Sequence, residues 1–122
     1  MSAAARPHHE VLTVGPLEVP PDEHLAWVGG RALTLSIREL RLLTELTRRA
    51  NRITPRQELF RLVWGREMRP GDRSVDVYVR KLRVKLEAAL PGWQFIHTHF
   101  GFGYRLSPEP PPGSVSGPFT DS

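Results

Sequence analysis

The sequence predicts an α+β fold: an N-terminal antiparallel sheet of about four strands, then three helices, then a C-terminal β-hairpin. Three observations carry that reading. Residues 11–34 interrupt short apolar runs with Gly and Pro pairs, as short strands joined by tight turns do. From residue 36 the apolar positions recur at helical spacing. Residues 94–106 return to a strand-like pattern around a Gly-Phe-Gly tip. At 122 residues the chain has room for one domain with one modest core.

The elements follow in order. "MSAAARPHHE" reads as a mobile leader, in which His8-His9 would hold a metal only weakly. "VLTV" is followed by Gly15-Pro16, "LEV" by Pro20-Pro21 and "LAWV" by Gly29-Gly30. The Gly-Gly pair suits a two-residue hairpin turn, where both residues take positive φ. In "SIRELRLLTELTRR" the apolar side is Ile37, Leu40, Leu42, Leu43 and Leu46. Ser36 with Glu39 forms a capping-box pattern, and Arg48 and Arg49 complement the helix dipole in the last turn.

The second helix lies in "RITPRQELFRLVWG". It is expected to take Thr54 as N-cap, Pro55 as its first residue and Gln57 as capping-box partner. Leu59, Leu62 and Val63 form its buried stripe, and Gly65 ends it. "REMRPGD" is a loop turning at Pro70-Gly71. The third helix runs from Asp72 or Arg73 to Ala88, stopped by Pro91-Gly92. The hairpin pairs residues 94–98 with 104–106. The last sixteen residues include five prolines and read as a disordered tail, so the domain is expected to span 11–106. Two helices joined by a loop, followed directly by a hairpin, make a winged helix-turn-helix.

Composition narrows the function classes. With no cysteine, disulfides and thiolate metal sites are excluded. No apolar run approaches the roughly 20 residues that cross a bilayer, and no apolar segment follows the N-terminus as in a signal peptide. The expected location is the cytoplasm, on the nucleoid. No Gly-x-Ser-x-Gly, Walker loop or His-Glu-x-x-His is present, so the chain is not expected to be an enzyme or to carry a cofactor. His97 and His99 share a strand face, but two histidines without a cysteine or nearby carboxylate fall short of a metal set. A Gly-x-Gly phosphate loop should open a helix, whereas this one returns into "YRL".

Charge is the positive signal. Residues 31–106 hold 16 Lys+Arg against 7 Asp+Glu, and the remainder holds 1 against 6. Fifteen of the 17 basic residues are Arg, which pairs bidentately with phosphates and guanine edges. On the third helix, at about 100° per residue, Val75, Val79, Leu82 and Leu86 form one narrow apolar stripe with Tyr78 beside it. The opposite side carries Arg73, Arg80, Val77, Val84 and Lys81, bordered by Ser74 and Lys85. Asp76 can pair with Arg80 at i+4. A free helix face with Arg, Lys and a small apolar residue able to touch a thymine methyl suits the major groove of double-stranded DNA.

"RSVDVYVRKLRVKLE", "ITPRQELFRLVWG" and "IHTHFGFGYRL" together resemble the winged-helix effector domain of OmpR/PhoB-type response regulators, and the likeness extends from about Leu12 to Leu106. It rests on Val75, Asp76, Arg80, Leu82 and Arg83 in the third helix and on Val63-Trp64-Gly65. The resemblance implies a bacterial transcription regulator with its third helix in the major groove and its wing at the adjacent minor groove. Trp64 and Arg73 match positions touching the DNA backbone, although Trp64 suits the core equally. Arg66, Glu67, Met68 and Arg69 fall in a loop that can contact RNA polymerase, and head-to-tail dimers on direct repeats are common.

Two departures accompany the likeness. Family members normally carry a receiver domain first; here about ten residues precede the first strand, which suggests either a fragment or a regulator outside phosphorelay control. The wing carries His99-Phe100 where Val-Arg is frequent, and Val84 replaces a usually basic residue. Weaker minor-groove contact is therefore expected, with Phe100→Arg tightening binding. For a regulator, Ser74, Val77, Arg80 and Lys81 face bases, with Lys85 at the border; Arg73, Trp64, Thr98 and Arg105 hold phosphates. The alternatives are an architectural DNA-binding protein of low sequence choice and a protein-interaction module using Phe100 and Phe102.

Overall fold

The structure, a computed structural model, describes residues 11–20 and 22–113. The expected leader with His8-His9, Pro21, and the tail beyond Gly113 lie outside the described residues. Strands β1 (Leu12–Val14), β2 (Leu17–Val19), β3 (Leu25–Val28) and β4 (Arg31–Thr34) form an antiparallel sheet in sequence order. Val28 pairs with Arg31 across the Gly29-Gly30 turn, whose φ values of 57° and 83° are the positive pair that a tight hairpin needs.

Helix α1 (Ile37–Arg48) starts at the expected capping box. The Glu39 amide donates to Ser36 Oγ at 3.1 Å, and the Ser36 amide donates to Glu39 Oε1 at 2.8 Å. Leu40, Leu42, Leu43 and Leu46 are buried, but Ile37 is 67 % exposed. A residue in the first helical position leans back over the preceding turn, and here that direction leaves the core.

Helix α2 (Arg56–Trp64) corrects the expected start. Thr54 does not cap it; Thr54 and Pro55 form a short strand, β5, and Pro55 is the N-cap without a side-chain bond. The backbone pairing of Thr54 with Tyr104 and Pro55 with Gly103 takes precedence over a local cap. The buried stripe is also rotated: Leu59, Phe60 and Val63 are buried and Leu62 is only half-buried. The Phe60 ring, fully buried, stacks on the half-buried Trp64 at 4.8 Å.

Helix α3 (Ser74–Ala89) buries Val75, Val79, Leu82 and Leu86, the predicted stripe. Strands β6 (Gln94–His99) and β7 (Gly103–Glu109) make the hairpin, and β5 joins it as a third strand in the order β5-β7-β6. Strand β7 continues past the expected Leu106 to Glu109, because Gln94 at the start of β6 finds its partner there. The proline-rich segment therefore begins within the sheet. The core runs continuously from Leu17 and Val28 of the first sheet, through the helices, to Phe95 and Leu106 of the hairpin. The architecture is a winged helix with an N-terminal four-stranded sheet.

Candidate nucleic-acid interface

Helix α3 is held to the body by its flanks and is free along its outer side. At its start, Ser74 N donates to Asp72 Oδ1 at 2.7 Å, and hydrogen bonding from Ser74 holds the Asp72 carboxyl below its usual value. One turn in, Asp76 accepts from Arg56 Nε at 3.0 Å and from Arg56 Nη2 at 2.7 Å. The Tyr104 hydroxyl also donates to it. This junction joins α2, α3 and β7. The expected Asp76–Arg80 pair is absent: the Arg56 guanidinium from the neighbouring helix engages both Asp76 oxygens, with the Tyr104 hydroxyl and Arg73 beside it.

The charges at this junction have clear consequences. Burial alone would raise the Asp76 carboxyl; hydrogen bonds from Arg56 and Tyr104, with the Arg56 and Arg73 charges, overcome it and hold the group below 3.8. Arg56 is correspondingly raised, chiefly by its hydrogen bond to Asp76. Burial, followed by the hydrogen bond to Asp76, pushes the Tyr104 phenol up to about 12.

Further along α3, two cations act as struts. Arg83 donates from Nε and Nη2 to the Ile96 carbonyl at 3.1 and 2.8 Å, and from Nη2 to Thr98 Oγ1 at 2.7 Å. This fork fixes the wing strand β6 to the helix. Lys85 donates to the Thr34 carbonyl at 3.0 Å and to Glu39 Oε1 at 2.7 Å. Lys85 is thus committed to the β4–α1 corner and differs from the border residue of a reading face that its sequence position suggested. Burial would raise Glu39, but Lys85 and the Ser36 amide outweigh it and hold the carboxyl below 4.5.

A carboxyl depressed by folding stabilises the fold above its ordinary value and loses that contribution as pH falls through its folded value. Lys85→Ala is therefore expected to lower stability by about 1 kcal/mol near neutral pH, the modest figure reflecting a lysine that is 38 % exposed. The difference from wild type should shrink as pH falls through the depressed Glu39 value, leaving the part that the Thr34 hydrogen bond contributes. Urea titrations at pH 7 and pH 3 measure it.

Arg80 forms no hydrogen bond or ion pair with another described residue, and Lys81 lies over the Tyr78 ring at 4.8 Å. Arg80, Lys81, Val77 and Val84 are exposed together on the outer side of α3, and Ser74 borders them. Exposed Arg73 stays near Asp76 at 3.4 Å. Trp64 stacks on Phe60, meets Tyr78 edge-on at 5.5 Å and lies beneath the Arg38 guanidinium at 4.8 Å. Trp64 is half-buried among these contacts.

On the wing, Thr98 is gripped by Arg83, and Arg105 Nε donates to His99 Nε2 at 3.0 Å. His97 Nε2 lies 2.7 Å from the Ser107 carbonyl. The two histidines have separate partners, and no cluster of three His, Asp or Glu stands together among the described residues. Phe100 and Phe102 are exposed at the tip.

In the α2–α3 loop, Arg66 covers the Phe60 ring at 4.9 Å, and Arg61 meets Glu67 at 3.3 Å. Met68 is half-buried against the core and Arg69 is exposed. Among the described residues no helix is long and apolar enough to cross a membrane. Sequence reasoning missed Arg56, Arg83 and Tyr104 as the groups that aim α3. Arg83 and Lys85 both flank the apolar stripe, where long side chains reach over to neighbouring elements, and that position was the available signal.

Comparisons with known proteins agree with this geometry. The model of the family described as "Transcriptional regulatory protein, C terminal" matches residues 30–106. The sensory transduction protein RegX3 of Mycobacterium leprae is 36 % identical over 96 residues, 79 % of this chain and 48 % of its own length. The chain therefore spans about half of that relative or less of others. The crystal structure of the CpxR DNA-binding domain from E. coli superposes with a TM-score of 0.72 at 28 % identity, covering 80 % of this chain and 96 % of that one. The Klebsiella pneumoniae RstA DNA-binding domain, solved in complex with its RstA box, gives 0.72 at 30 % identity, covering 81 % and 98 %. By its family match, its architecture and its relatives, the chain belongs to the OmpR/PhoB-type DNA-binding domains of transcriptional regulatory proteins.

Proposed function

We propose that the chain binds double-stranded DNA sequence-specifically to regulate transcription, with α3 in the major groove and the wing at the neighbouring minor groove. One observation carries this: the cations flanking α3 are committed to the protein, while Arg80 and Lys81 are exposed beside Val77 and form no ion pair with any described acidic residue. A helix anchored through its edges presents those groups at fixed positions, as base reading requires. Ser74, Val77, Arg80 and Lys81 face bases. Arg73, Thr98 and Arg105 serve phosphates; the Thr98 hydroxyl accepts from Arg83 and still has a proton to donate. The similar RstA DNA-binding domain, solved in complex with its RstA box, supports the DNA-binding reading.

Arg80→Ala is expected to weaken binding to a selected site by about 1–3 kcal/mol. Binding should also weaken with salt, log K falling by about 0.9 per phosphate neutralised. Fluorescence anisotropy across a salt series measures both. Equal affinity of mutant and wild type for the selected site would remove α3 from the reading role. On the same reading, the exposed Arg69 and the ring-covering Arg66 form a surface for RNA polymerase, and two copies align head-to-tail on direct repeats. Loss of transcription activation without loss of DNA binding in Arg66→Ala/Arg69→Ala is the expected signature of the first.

A further inference from the structure

Two phenylalanines stand at the wing tip, Phe100 88 % and Phe102 71 % exposed. They flank Gly101 in a turn closed by Phe102 N donating to the His99 carbonyl at 2.9 Å. Gly101 has φ +82°, which a type II turn demands at its third position. The base of this finger is fixed. Arg105 bonds His99, Arg83 grips Ile96 and Thr98, and Gly103 lies directly against the Thr54 backbone. Two apolar rings are therefore presented on a braced support, continuous through Arg83 with the reading helix.

The surroundings of the tip select its partner. Residues 94–108 contain no Asp or Glu, and their ionisable side chains other than Tyr104 are His97, His99 and Arg105. Such a surface approaches a polyanion without repulsion. Phenylalanine gains nothing from phosphates, but apolar side chains delivered to a minor groove act as wedges between base pairs. Pyrimidine–purine steps open most readily.

Resting on the DNA-binding reading above, we infer that Phe100 and Phe102 form a wedge that enters the minor groove beside the α3 footprint, unstacks one base step and bends the duplex. This replaces the expectation that Phe100 merely weakens groove contact. The wedge adds specificity through the deformability of a step that no side chain reads by hydrogen bonding.

The test uses the full 122-residue chain and a duplex it selects from a random pool. 2-Aminopurine is placed at successive steps beside the footprint, and dyes at both ends report bending. Wild type should raise 2-aminopurine fluorescence several-fold at one step and shorten the end-to-end distance. Phe100→Ala/Phe102→Ala should abolish both signals and weaken binding about tenfold, with an unchanged melting temperature because both rings are exposed. Phe100→Arg should steepen the salt dependence by about one unit yet still lose the bend. A selected duplex whose binding depends on Arg80 but which stays straight and stacked overturns the wedge alone. So does a bend unaffected by the double substitution, and so does a double variant that keeps full DNA affinity but loses a bound protein partner. Failure to select any duplex overturns the wedge together with the reading beneath it.

Discussion

Gly103→Ala is expected to destabilise the fold by about 3 kcal/mol or more, at the upper end of overpacking effects. A Cβ at this position would lie 2.0 Å from the Thr54 carbonyl oxygen, 2.7 Å from its carbon and 2.9 Å from Pro55 Cα. All three are backbone atoms of β5, so no rotamer change relieves the clash. The β5–β7 pairing must open, and with it the registration of α2 against the wing. The melting temperature should fall by about 12–24 °C for a domain of this size. Gly101→Ala meets only open space and suffers the strain of a positive φ, about 1 kcal/mol. Thermal melts of the two variants should differ widely; equal melts would contradict the close approach.

Asp76→Ala should be the second large effect, with a loss of about 3 kcal/mol. It leaves Arg56 and Tyr104 without their shared acceptor. Removing one member of a buried pair typically costs about 3–5 kcal/mol, and the lower end applies because Asp76 is 22 % exposed and Arg56 30 %. Its pH dependence has two limbs of opposite sign. The depressed carboxyl contributes fully above 3.8 and loses its contribution as pH falls through its lower folded value. The raised phenol contributes fully below 10.0 and loses it as pH rises through about 12. Denaturant titrations should show the mutant curve flatter than wild type on both limbs. A parallel offset at every pH would show that Asp76 acts by packing alone.

The fold was legible where local chemistry decides it. Ser36 and Glu39 formed their box because both partners lie within one turn. Gly29-Gly30 made a turn because few other pairs take two positive φ angles. Thr54 misled because its best partner, Tyr104, is remote in sequence, and a backbone ladder outweighs a side-chain cap. Asp76 misled for the same reason: the i+4 rule proposes Arg80, whereas the fold supplies Arg56 from another helix.

The candidate site was legible in part. The α3 wheel separated the buried stripe from the outer face. It could not divide the cations, since Arg83 and Lys85 both lie about 80° from Val75 around the helix, and their roles depend on β6 and on the β4–α1 corner. Phe100 and Phe102 were visible as residues, but the bracing beneath them was not.

The central claim is that the free cations of α3 read sequence while the tethered ones aim the helix. The most direct measurement is competition between a selected site and random duplex, for wild type and for Arg80→Ala, at one fixed salt concentration. The account predicts that wild type prefers the selected site by about 10³-fold or more, within the range of about 10³–10⁷ typical of specific regulators. Arg80→Ala should lose most of that preference while keeping its affinity for random DNA to within a few-fold. A wild-type protein that binds both duplexes equally, or a mutant that loses both affinities in the same proportion, would contradict it.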